Sequence, residues 1–292
     1  MSLAESIQKS GSIMRPGWER RKRLLKNYIL VAVKGLVIGG TMLVPGVSGG
    51  SMAMILGIYD KLIASVSSFM KQKRKNFFFL LCFGIGAVSG MVLFAKPLLK
   101  LIDSFPMPTM YFFIGAVAGG IPMICRHAKI TSFTWKIPVY TLLGAAIVLA
   151  LSMIPVSSSE TQTETGFFSF LLLIVSGFVA AVALILPGIS VSYVLLLIGL
   201  YDETMKAIST FYLPFLIPLA IGLAAGVILT TKLLEKAMAR YPRPTYLMIL
   251  GFILGSVITI FPGIPNLYEL IFCILSFAAG FAAIYILSRK EY

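Results

Sequence analysis

The 292-residue sequence is short of the side chains that enzymes use for metal-assisted and acid–base chemistry. It has one histidine, three cysteines and 11 acidic residues, against 25 lysines and arginines. The histidine, His127, stands in a basic loop beside Arg126 and Lys129, and a metal site would need more ligands than that. The acidic residues are scattered, whereas a membrane phosphatase needs clustered His, Arg and Asp or a bound metal. We therefore expect a protein that is not an enzyme.

Cysteines and long polar segments are also scarce. Cys82, Cys125 and Cys273 lie within or at the end of apolar segments, so we interpret them as small core residues rather than a disulfide framework. The longest polar stretch, residues 1–27, lacks the apolar core of a signal peptide. Because it is rich in arginine and lysine, we interpret it as a basic arm that lies on anionic lipids of the cytoplasmic leaflet.

Apolar residues, by contrast, are abundant, since 58% of the sequence is hydrophobic and the mean hydropathy is +0.94. A soluble core of this length cannot hide so much apolar surface, so lipid must be part of the solvent. The net charge of +14 would suit a nucleic-acid binder, but such proteins cluster their basic residues on one face of a folded domain. Here these residues lie in short loops between apolar runs, which argues against nucleic acid as a partner and predicts an all-α polytopic membrane protein.

Ten apolar segments are separated by turns and charged loops. The first two segments of each half are joined by a Pro-Gly-Ser turn without a charged loop, so each pair is either two spans or a re-entrant hairpin. The segments of the first half are 28–44, 51–69, 77–98, 110–125 and 137–154. Those of the second half are 167–186, 190–208, 212–231, 246–261 and 267–287.

The loops between these segments differ in charge. With the N-terminus inside, 20 of the 25 lysines and arginines fall inside and 3 fall outside, while Lys34 and Lys61 belong to the first hairpin. Cytoplasmic loops of membrane proteins carry an excess of lysine and arginine. We therefore predict a cell-membrane protein whose N-terminus and tail, residues 289–292, are cytoplasmic.

The two halves repeat one pattern. The string PGVS, from Pro45, and the string GIYD, from Gly57, return 142 residues later as PGIS, from Pro187, and GLYD, from Gly199. At a spacing of 136 residues further glycines match: Gly86 with Gly222, Gly115 with Gly251 and Gly144 with Gly280. We therefore divide the chain into membrane repeats at residues 28–155 and 167–288, joined by an extracytoplasmic linker at residues 156–166.

Each repeat contains a hairpin and three further spans, so the number of crossings is odd and the second repeat must enter the membrane from the opposite side. The predicted fold is two inverted-topology repeats, each a broken or re-entrant helix hairpin plus three transmembrane helices. Inverted repeats are typical of alternating-access transporters, which bind substrate near the bilayer midplane where the repeats meet. This pattern favours a carrier over an enzyme.

The two Pro-Gly-Ser turns form the candidate substrate site. Proline and glycine interrupt a helix there, and a helix that restarts deep in the membrane presents free N–H groups and a positive dipole end. Two facing helix starts would suit an anion such as a phosphate; the alternative is a proline-kinked helix packed through small residues. The candidate binding residues are Pro45, Gly46, Ser48, Gly49, Gly50 and Ser51 in the first turn and Pro187, Gly188, Ser190 and Ser192 in the second.

Three charged residues stand near these turns. Lys34, in the first segment, either extends its amine to the lipid surface or neutralises the bound anion. Asp60 and Asp202 occupy matching places in the two repeats, where they either couple transport to a proton or a sodium ion or cap helices in the interface. We expect no other cofactor, and the sequence leaves the oligomeric state open, including a homo-oligomer.

From Gly40 to Ser51, GTMLVPGVSGGS, and from Leu56 to Asp60, LGIYD, the sequence resembles the PopT-like family of bacterial polyprenyl-phosphate transporters, long labelled as a domain of unknown function. The resemblance covers nearly the whole chain after the basic arm. It implies a flippase that returns undecaprenyl phosphate from the outer to the inner leaflet of the bacterial cytoplasmic membrane, for reuse in peptidoglycan and teichoic acid synthesis. It also implies that residues 45–51 and 187–192 surround the head group.

One departure from the family pattern concerns the second turn. Where the family often has glycine after the serine, this chain has Val191, Ser192 and Tyr193, so a close approach of the backbone to phosphate is less assured there. A carrier or channel for a small soluble anion, such as phosphate or sulfate, is the alternative function, because the same helix starts would serve it.

Overall fold

In the computed structural model, the regular secondary structure of the described residues is entirely helical. The structure describes residues 17–42, 47–129, 134–154 and 166–289, and for residues 17–25, 167 and 287–289 it describes the backbone alone. Most of the predicted basic arm, linker and tail lies outside these ranges. So do Pro45 and Gly46 of the candidate site.

Twelve α-helices fall within the described residues, six in each half of the chain. Those of the first half are α1 (Gly17–Thr41), α2 (Gly49–Ile55), α3 (Tyr59–Ser67), α4 (Lys73–Ser104), α5 (Pro106–His127) and α6 (Lys136–Ser152). Those of the second half are α7 (Phe167–Ile185), α8 (Val191–Ile198), α9 (Tyr201–Ser209), α10 (Leu213–Arg240), α11 (Pro242–Ile260) and α12 (Leu267–Arg289). A single 3₁₀ turn, Phe69–Lys71, joins α3 to α4.

Six of these helices, α4, α5, α7, α10, α11 and α12, are long and apolar enough to cross a membrane. The shorter helix α6 is also apolar. Large apolar side chains project outward from them, such as Val92 on α4 and Phe272 on α12, which are 72% and 64% exposed. An outer surface of this kind suits contact with lipid. The prediction of an all-α, multi-pass membrane protein is therefore confirmed.

The second apolar segment of each half, which belongs to the predicted broken or re-entrant hairpin, consists of two helices. Segment 51–69 breaks at Gly57 (φ +66°), and segment 190–208 breaks at Gly199 (φ +76°). At the first break, the N–H of Gly57 donates to the Met54 carbonyl and the N–H of Ile58 to the Ala53 carbonyl, both at 3.0 Å. This pattern, with glycine in the left-handed region and a buried apolar residue next, is the Schellman motif that ends helices. Each of these two segments is therefore a pair of short helices joined at a glycine.

The other eight predicted segments each correspond to one helix, but several helices extend further than predicted. The helix α1 begins at Gly17, within the stretch assigned to the basic arm, and α4 begins at Lys73 and continues past Pro97 to Ser104. Loss of hydrophobicity marks where a segment leaves the lipid, whereas a helix continues as long as its backbone hydrogen bonds do. Segment limits drawn from hydropathy are therefore too narrow for these helices.

The long helices pack as four pairs: α1 with α4, α7 with α10, α5 with α12, and α6 with α11. Glycines lie at each contact, where a Cβ would strike the backbone of the partner helix. Gly86 of α4 packs in this way on Ala32, and its counterpart Gly222 of α10 packs on Ile174. The matched glycines of the sequence are thus the points of close approach between helices.

The short helix α2 lies at the centre of the molecule. Every residue from Ser51 to Leu56 is buried, and Met52 and Ile55 are at most 1% exposed. Apolar side chains of α5 and α11, such as Ile124 and Ile253, belong to the same buried cluster. All three cysteines are free, and Cys273 is fully buried. The first hairpin is therefore enclosed by helices of both halves.

Candidate functional site

The two Pro-Gly-Ser turns, which are far apart in sequence, meet in the middle of the structure. A Cβ added to Gly50, in the first turn of α2, would lie 3.2 Å from the Cα of Pro187 and 3.5 Å from the carbonyl oxygen of Ile185. The helices α2 and α7 are accordingly in contact. The structure brings the described part of the first turn against the second, while Pro45 and Gly46 lie outside the described residues.

A cavity of about 860 Å³, which we call the turn cavity, opens between these two turns. The first turn lines it with Val47, Ser48, Gly49 and Gly50, and the second lines it with Gly188, Ile189, Ser190, Val191, Ser192 and Tyr193. The rest of its wall is mostly apolar and includes Ile38, Ile63 and Phe83. The cavity thus combines polar backbone at two helix starts with a wall suited to a hydrocarbon chain.

The starts of α2 and α8 differ in how they are capped. Ser48 is the N-cap of α2 in an extended conformation (φ −80°, ψ 135°), and its hydroxyl makes no capping hydrogen bond. Ser190 caps α8, and its Oγ accepts a hydrogen bond from the backbone N–H of Tyr193 at 3.4 Å. Ser51, one of the candidate binding residues, lies inside α2, where its hydroxyl is buried without a hydrogen-bond partner among the described residues. Of the two starts, that of α2 leaves its serine hydroxyl available to a ligand.

Gly188 gives the second turn its shape. Its φ is +83°, and a Cβ added to it would clash with the carbonyl oxygen of Phe252 on α11. The preceding Pro187 is fully buried. Only glycine allows the chain to turn here while lying directly on α11, so the two residues hold the turn in place.

Two tyrosines that are not among the candidate binding residues form hydrogen bonds between helices that border the turn cavity. Tyr59, at the start of α3, is 3% exposed, and its hydroxyl donates to the Ile185 carbonyl at the end of α7 over 2.7 Å. Tyr193, in the first turn of α8, donates to the carbonyls of Leu151 and Ile154 at the end of α6, each at 3.1 Å. The bond to Ile185 reaches one of the last carbonyls of α7, where a helix end lacks intrahelical donors. Each tyrosine therefore ties one half of the chain to the other beside the turn cavity.

Lys34 lies close to this site but not in its wall. Its side chain is only 6% exposed, so it does not extend its amine to the surface of the molecule. Ile38, one helical turn further along the same face of α1, does line the turn cavity. Lys34 interacts electrostatically with Lys61 of α3. The structure thus places a buried amine about one turn away from the cavity.

The two matching aspartates have different surroundings. Asp202 is exposed on α9. Asp60, on α3, accepts a hydrogen bond from the hydroxyl of Tyr246 at 2.7 Å and lies 4.0 Å from Nε2 of His127, measured at Oδ2. Its other oxygen, Oδ1, is buried without a hydrogen-bond partner among the described residues. The structure therefore joins Asp60 of α3 to α5 and α11 through a polar network.

This network lies at one end of the bundle, where the end of α5, the end of α10 and the start of α11 meet. Because this end carries Arg126, Lys129, Arg240 and Arg243, we call it the basic end. His127 is the last residue of α5 and not a loop residue, and its Nδ1 is 2.9 Å from the Met123 carbonyl oxygen.

Comparison with known proteins identifies the family of the chain. Residues 38–270 match the family described as VCA0040-like, undecaprenyl phosphate translocase-like. The chain belongs to this family. Relatives from Staphylococcus aureus and Vibrio cholerae, each named polyprenyl-phosphate transporter, are 34% and 30% identical to it, over 88% and 81% of this chain and 95% and 78% of their own lengths. No solved structure matches the chain.

The departure from the family pattern at the second turn changes the cavity wall. Val191, Ser192 and Tyr193 form the first turn of α8 and line the turn cavity with their side chains. The equivalent part of α2, Gly49, Gly50 and Ser51, contributes only its two glycines to the wall. Backbone is therefore exposed to the cavity mainly at the first turn, and the second turn contributes more side-chain surface.

Proposed function

We propose that the chain is a flippase that carries undecaprenyl phosphate from the outer to the inner leaflet of the cytoplasmic membrane, where cell-wall polymer synthesis uses it again. The observation that carries this proposal is the turn cavity, an apolar cavity into which two helix starts open. Both relatives described above are named polyprenyl-phosphate transporters. The family of the chain and the chemistry of its central cavity therefore support the same kind of substrate.

The pairing of the long helices supports two inverted repeats. By sequence match, α5 corresponds to α11 and α12 corresponds to α6, so the pair α5–α12 becomes the pair α11–α6. Each of these pairs joins one helix of the first half to one of the second, as a two-fold relation between the halves requires. Gly115 on the backbone of Phe277 and Gly251 on that of Thr141 are equivalent contacts under this relation. An odd number of crossings in each repeat puts the two-fold axis in the plane of the membrane.

The charge of the basic end sets the proposed orientation. Lysines and arginines are enriched on the cytoplasmic side of membrane proteins. The basic end therefore faces the cytoplasm, together with both chain termini, and the opposite end faces the outside. The turn cavity then lies between the two membrane surfaces, deep in the molecule.

The substrate has a charged head and a long apolar tail, and the cavity offers a suitable surface to each. Helix starts bind phosphate through free N–H groups and the positive end of the helix dipole. Ser48, Gly49 and Gly50 then hold the head group from the first turn, with Gly188, Ser190 and Ser192 opposite. Lys34 supplies positive charge from one turn away, and the apolar wall receives the first units of the tail.

The contacts of α3 support a conformation that is closed toward the basic end. Tyr59 and Asp60 join its start to α7 and α11, and Ser67 donates a hydrogen bond from its end to Glu235 of α10. In the second half Tyr201, which matches Tyr59, is partly exposed. Alternating access then requires α3 to leave these contacts so that the head group can reach the cytoplasm. Asp60, at the centre of them, is our candidate for coupling this movement to a proton or a sodium ion.

Transfer of lipid in liposomes tests the proposal directly. The purified chain should accelerate the movement of labelled undecaprenyl phosphate from the outer to the inner leaflet, compared with liposomes that contain no protein. Farnesyl phosphate should compete, and inorganic phosphate should not, because only the former fills the apolar wall. Competition by inorganic phosphate alone would favour a carrier of small soluble anions. No transfer by folded protein, with or without proton and sodium gradients, would refute the proposal.

A further inference from the structure

A second cavity, of about 400 Å³, lies at the basic end between the end of α5 and the start of α11. We call it the basic pocket and define it by Arg126, His127, Lys129 and Tyr246, which line it. The ionisable side chains Arg126, His127 and Lys129 of its lining are basic, whereas no lysine, arginine, aspartate or glutamate lines the turn cavity among the described residues. The remainder of its wall, Met238, Ala239 and Pro242, is apolar.

The polar groups of this pocket already hold an oxyanion, and that oxyanion belongs to the chain itself. The carboxylate of Asp60 accepts a hydrogen bond from the hydroxyl of Tyr246 at 2.7 Å and faces Nε2 of His127 at 4.0 Å. Nδ1 of His127 lies 2.9 Å from the Met123 carbonyl oxygen. Tyr246 thus donates to an anion at this position, and the His127 ring attracts that anion when both of its nitrogens are protonated.

Asp60 is bound only weakly by this pocket, so an anion with more negative charge can displace its carboxylate. The aspartate side chain is 44% exposed, and its Oδ1 makes no hydrogen bond with the described residues. Ion pairs that are open to solvent contribute little to stability. A phosphate monoester carries more charge and more acceptor oxygens than a carboxylate, and arginine binds phosphate with two parallel hydrogen bonds.

The position of Asp60 connects this pocket to the turn cavity. Tyr59 lines the turn cavity, and the next residue along the chain, Asp60, contacts the basic pocket. The first turn of α3 therefore lines the turn cavity through Tyr59 and contacts a lining residue of the basic pocket through Asp60. A head group that leaves the turns toward the basic end reaches the basic pocket once this turn moves.

We propose that the basic pocket is a second phosphate subsite, and that Asp60 is an internal carboxylate which the arriving phosphate displaces. The inference rests on the proposed function, since it places the subsite on the release side of the same pathway. Arg126, Lys129, His127 and Tyr246 bind the phosphate oxygens, and Met238 and Pro242 contact the first isoprene unit. Displacement of Asp60 removes the contact that joins α3 to α11, so binding at the pocket favours opening of the basic end.

The single histidine of the chain gives a direct test. In protein labelled with ¹³C,¹⁵N-histidine and made without a histidine tag, all histidine ring signals in the NMR spectrum come from His127. We follow one of these signals. Farnesyl phosphate should shift this signal in a saturable way, and farnesol, which lacks the phosphate, should not. Inorganic phosphate is tested in parallel: a saturable shift with both phosphates means that the pocket binds the phosphate group itself, and a shift with farnesyl phosphate alone means that it also requires the tail.

Matched variants separate the subsite from the rest of the molecule. Replacing Arg126 and Lys129 by glutamine should raise the dissociation constant for farnesyl phosphate about tenfold. Replacing Lys71 and Lys75, which are exposed at the start of α4, by glutamine removes the same charge from another part of the surface and should leave the dissociation constant unchanged. Asp60→Asn should lower the dissociation constant by about fivefold, because a weaker internal competitor is left in the pocket.

The outcomes of this test and of the transport test can be told apart. A saturable His127 shift without lipid transfer in liposomes would contradict the proposed function and keep the subsite. Lipid transfer without any shift of His127 by either phosphate would overturn the subsite and keep the function. The subsite is also overturned if the Arg126 and Lys129 variant binds as tightly as the original, or if Asp60→Asn weakens binding while the protein stays folded.

Discussion

Replacing Gly188 by alanine should destabilise the second turn through two effects that can be separated. The first is conformational, because its φ of +83° is a region that glycine adopts freely and alanine does not. The second is steric, because the new methyl group would clash with the carbonyl oxygen of Phe252. Since Pro187 and Gly188 hold the second turn on α11, both effects act directly on the turn cavity.

Gly263 provides the matched control for the steric part. Its φ is +97°, but nothing lies within 4 Å of a Cβ added there. A left-handed backbone costs an alanine about 1–2 kcal/mol, which is the whole loss expected for Gly263→Ala. Overpacking adds about 1–3 kcal/mol, so Gly188→Ala should lose about 2–5 kcal/mol in total.

Thermal unfolding of the two variants in the same detergent, followed by circular dichroism at the helix band, measures this difference. Gly188→Ala should unfold at a clearly lower temperature than Gly263→Ala, and at a temperature where both are folded it should transport more slowly. Equal unfolding temperatures would refute the steric part of the reasoning. Equal transport rates would refute the role of the second turn in shaping the cavity.

Three further experiments test individual contacts of the site. Ser48→Ala should slow lipid transfer at least about tenfold if the hydroxyl binds phosphate, with no change in unfolding temperature because the hydroxyl makes no capping bond; an unchanged rate removes Ser48 from the site. Tyr59→Phe should cost about 1–3 kcal/mol by leaving a buried carbonyl unpaired, whereas Tyr201→Phe, whose hydroxyl makes no hydrogen bond with the described residues, should cost little; equal losses in thermal unfolding would contradict this. Asp60→Asn should alter the dependence of transport on pH or sodium, and the exposed Asp202→Asn should not; an unaltered dependence in both excludes them from coupling.

The position of the helices followed largely from composition and spacing. Apolar runs marked eight single helices correctly, because a helix in lipid must be apolar along its length. The glycines matched at a spacing of 136 residues, such as Gly115 and Gly251, became points of close helix contact. Packing between membrane helices depends on small residues, so a repeated glycine pattern carries information about tertiary contacts even without a structure.

The sequence analysis predicted a broken or re-entrant hairpin in each half, but it did not place the breaks at Gly57 and Gly199. Each glycine is followed by a buried apolar residue and then by the Tyr-Asp start of the next helix. A glycine within an apolar run is equally compatible with a continuous helix. The choice depends on whether the following residue, Ile58 or Leu200, has a core to pack into, and that core is formed by distant helices.

The residues around Asp60 show most clearly what sequence reasoning could not reach. His127 and Tyr246 are 67 and 186 positions away from it, and nothing local to any of the three indicates their contact. His127 was interpreted as a loop residue because it stands among basic residues. Its position at the end of α5, beside α11 and α3, is a result of packing.

The sequence by itself determined that this is a multi-pass helical membrane protein, where most of its helices run, and which glycines recur, because lipid imposes a length and a hydrophobicity on every span. Tertiary structure decided that the two turns lie against each other, that Lys34 is buried beside the cavity instead of reaching the surface, and that Asp60 differs from Asp202. These features depend on which distant helices pack together. The local sequence of a helix influences which partner it packs against only through the small residues that lie at the contact.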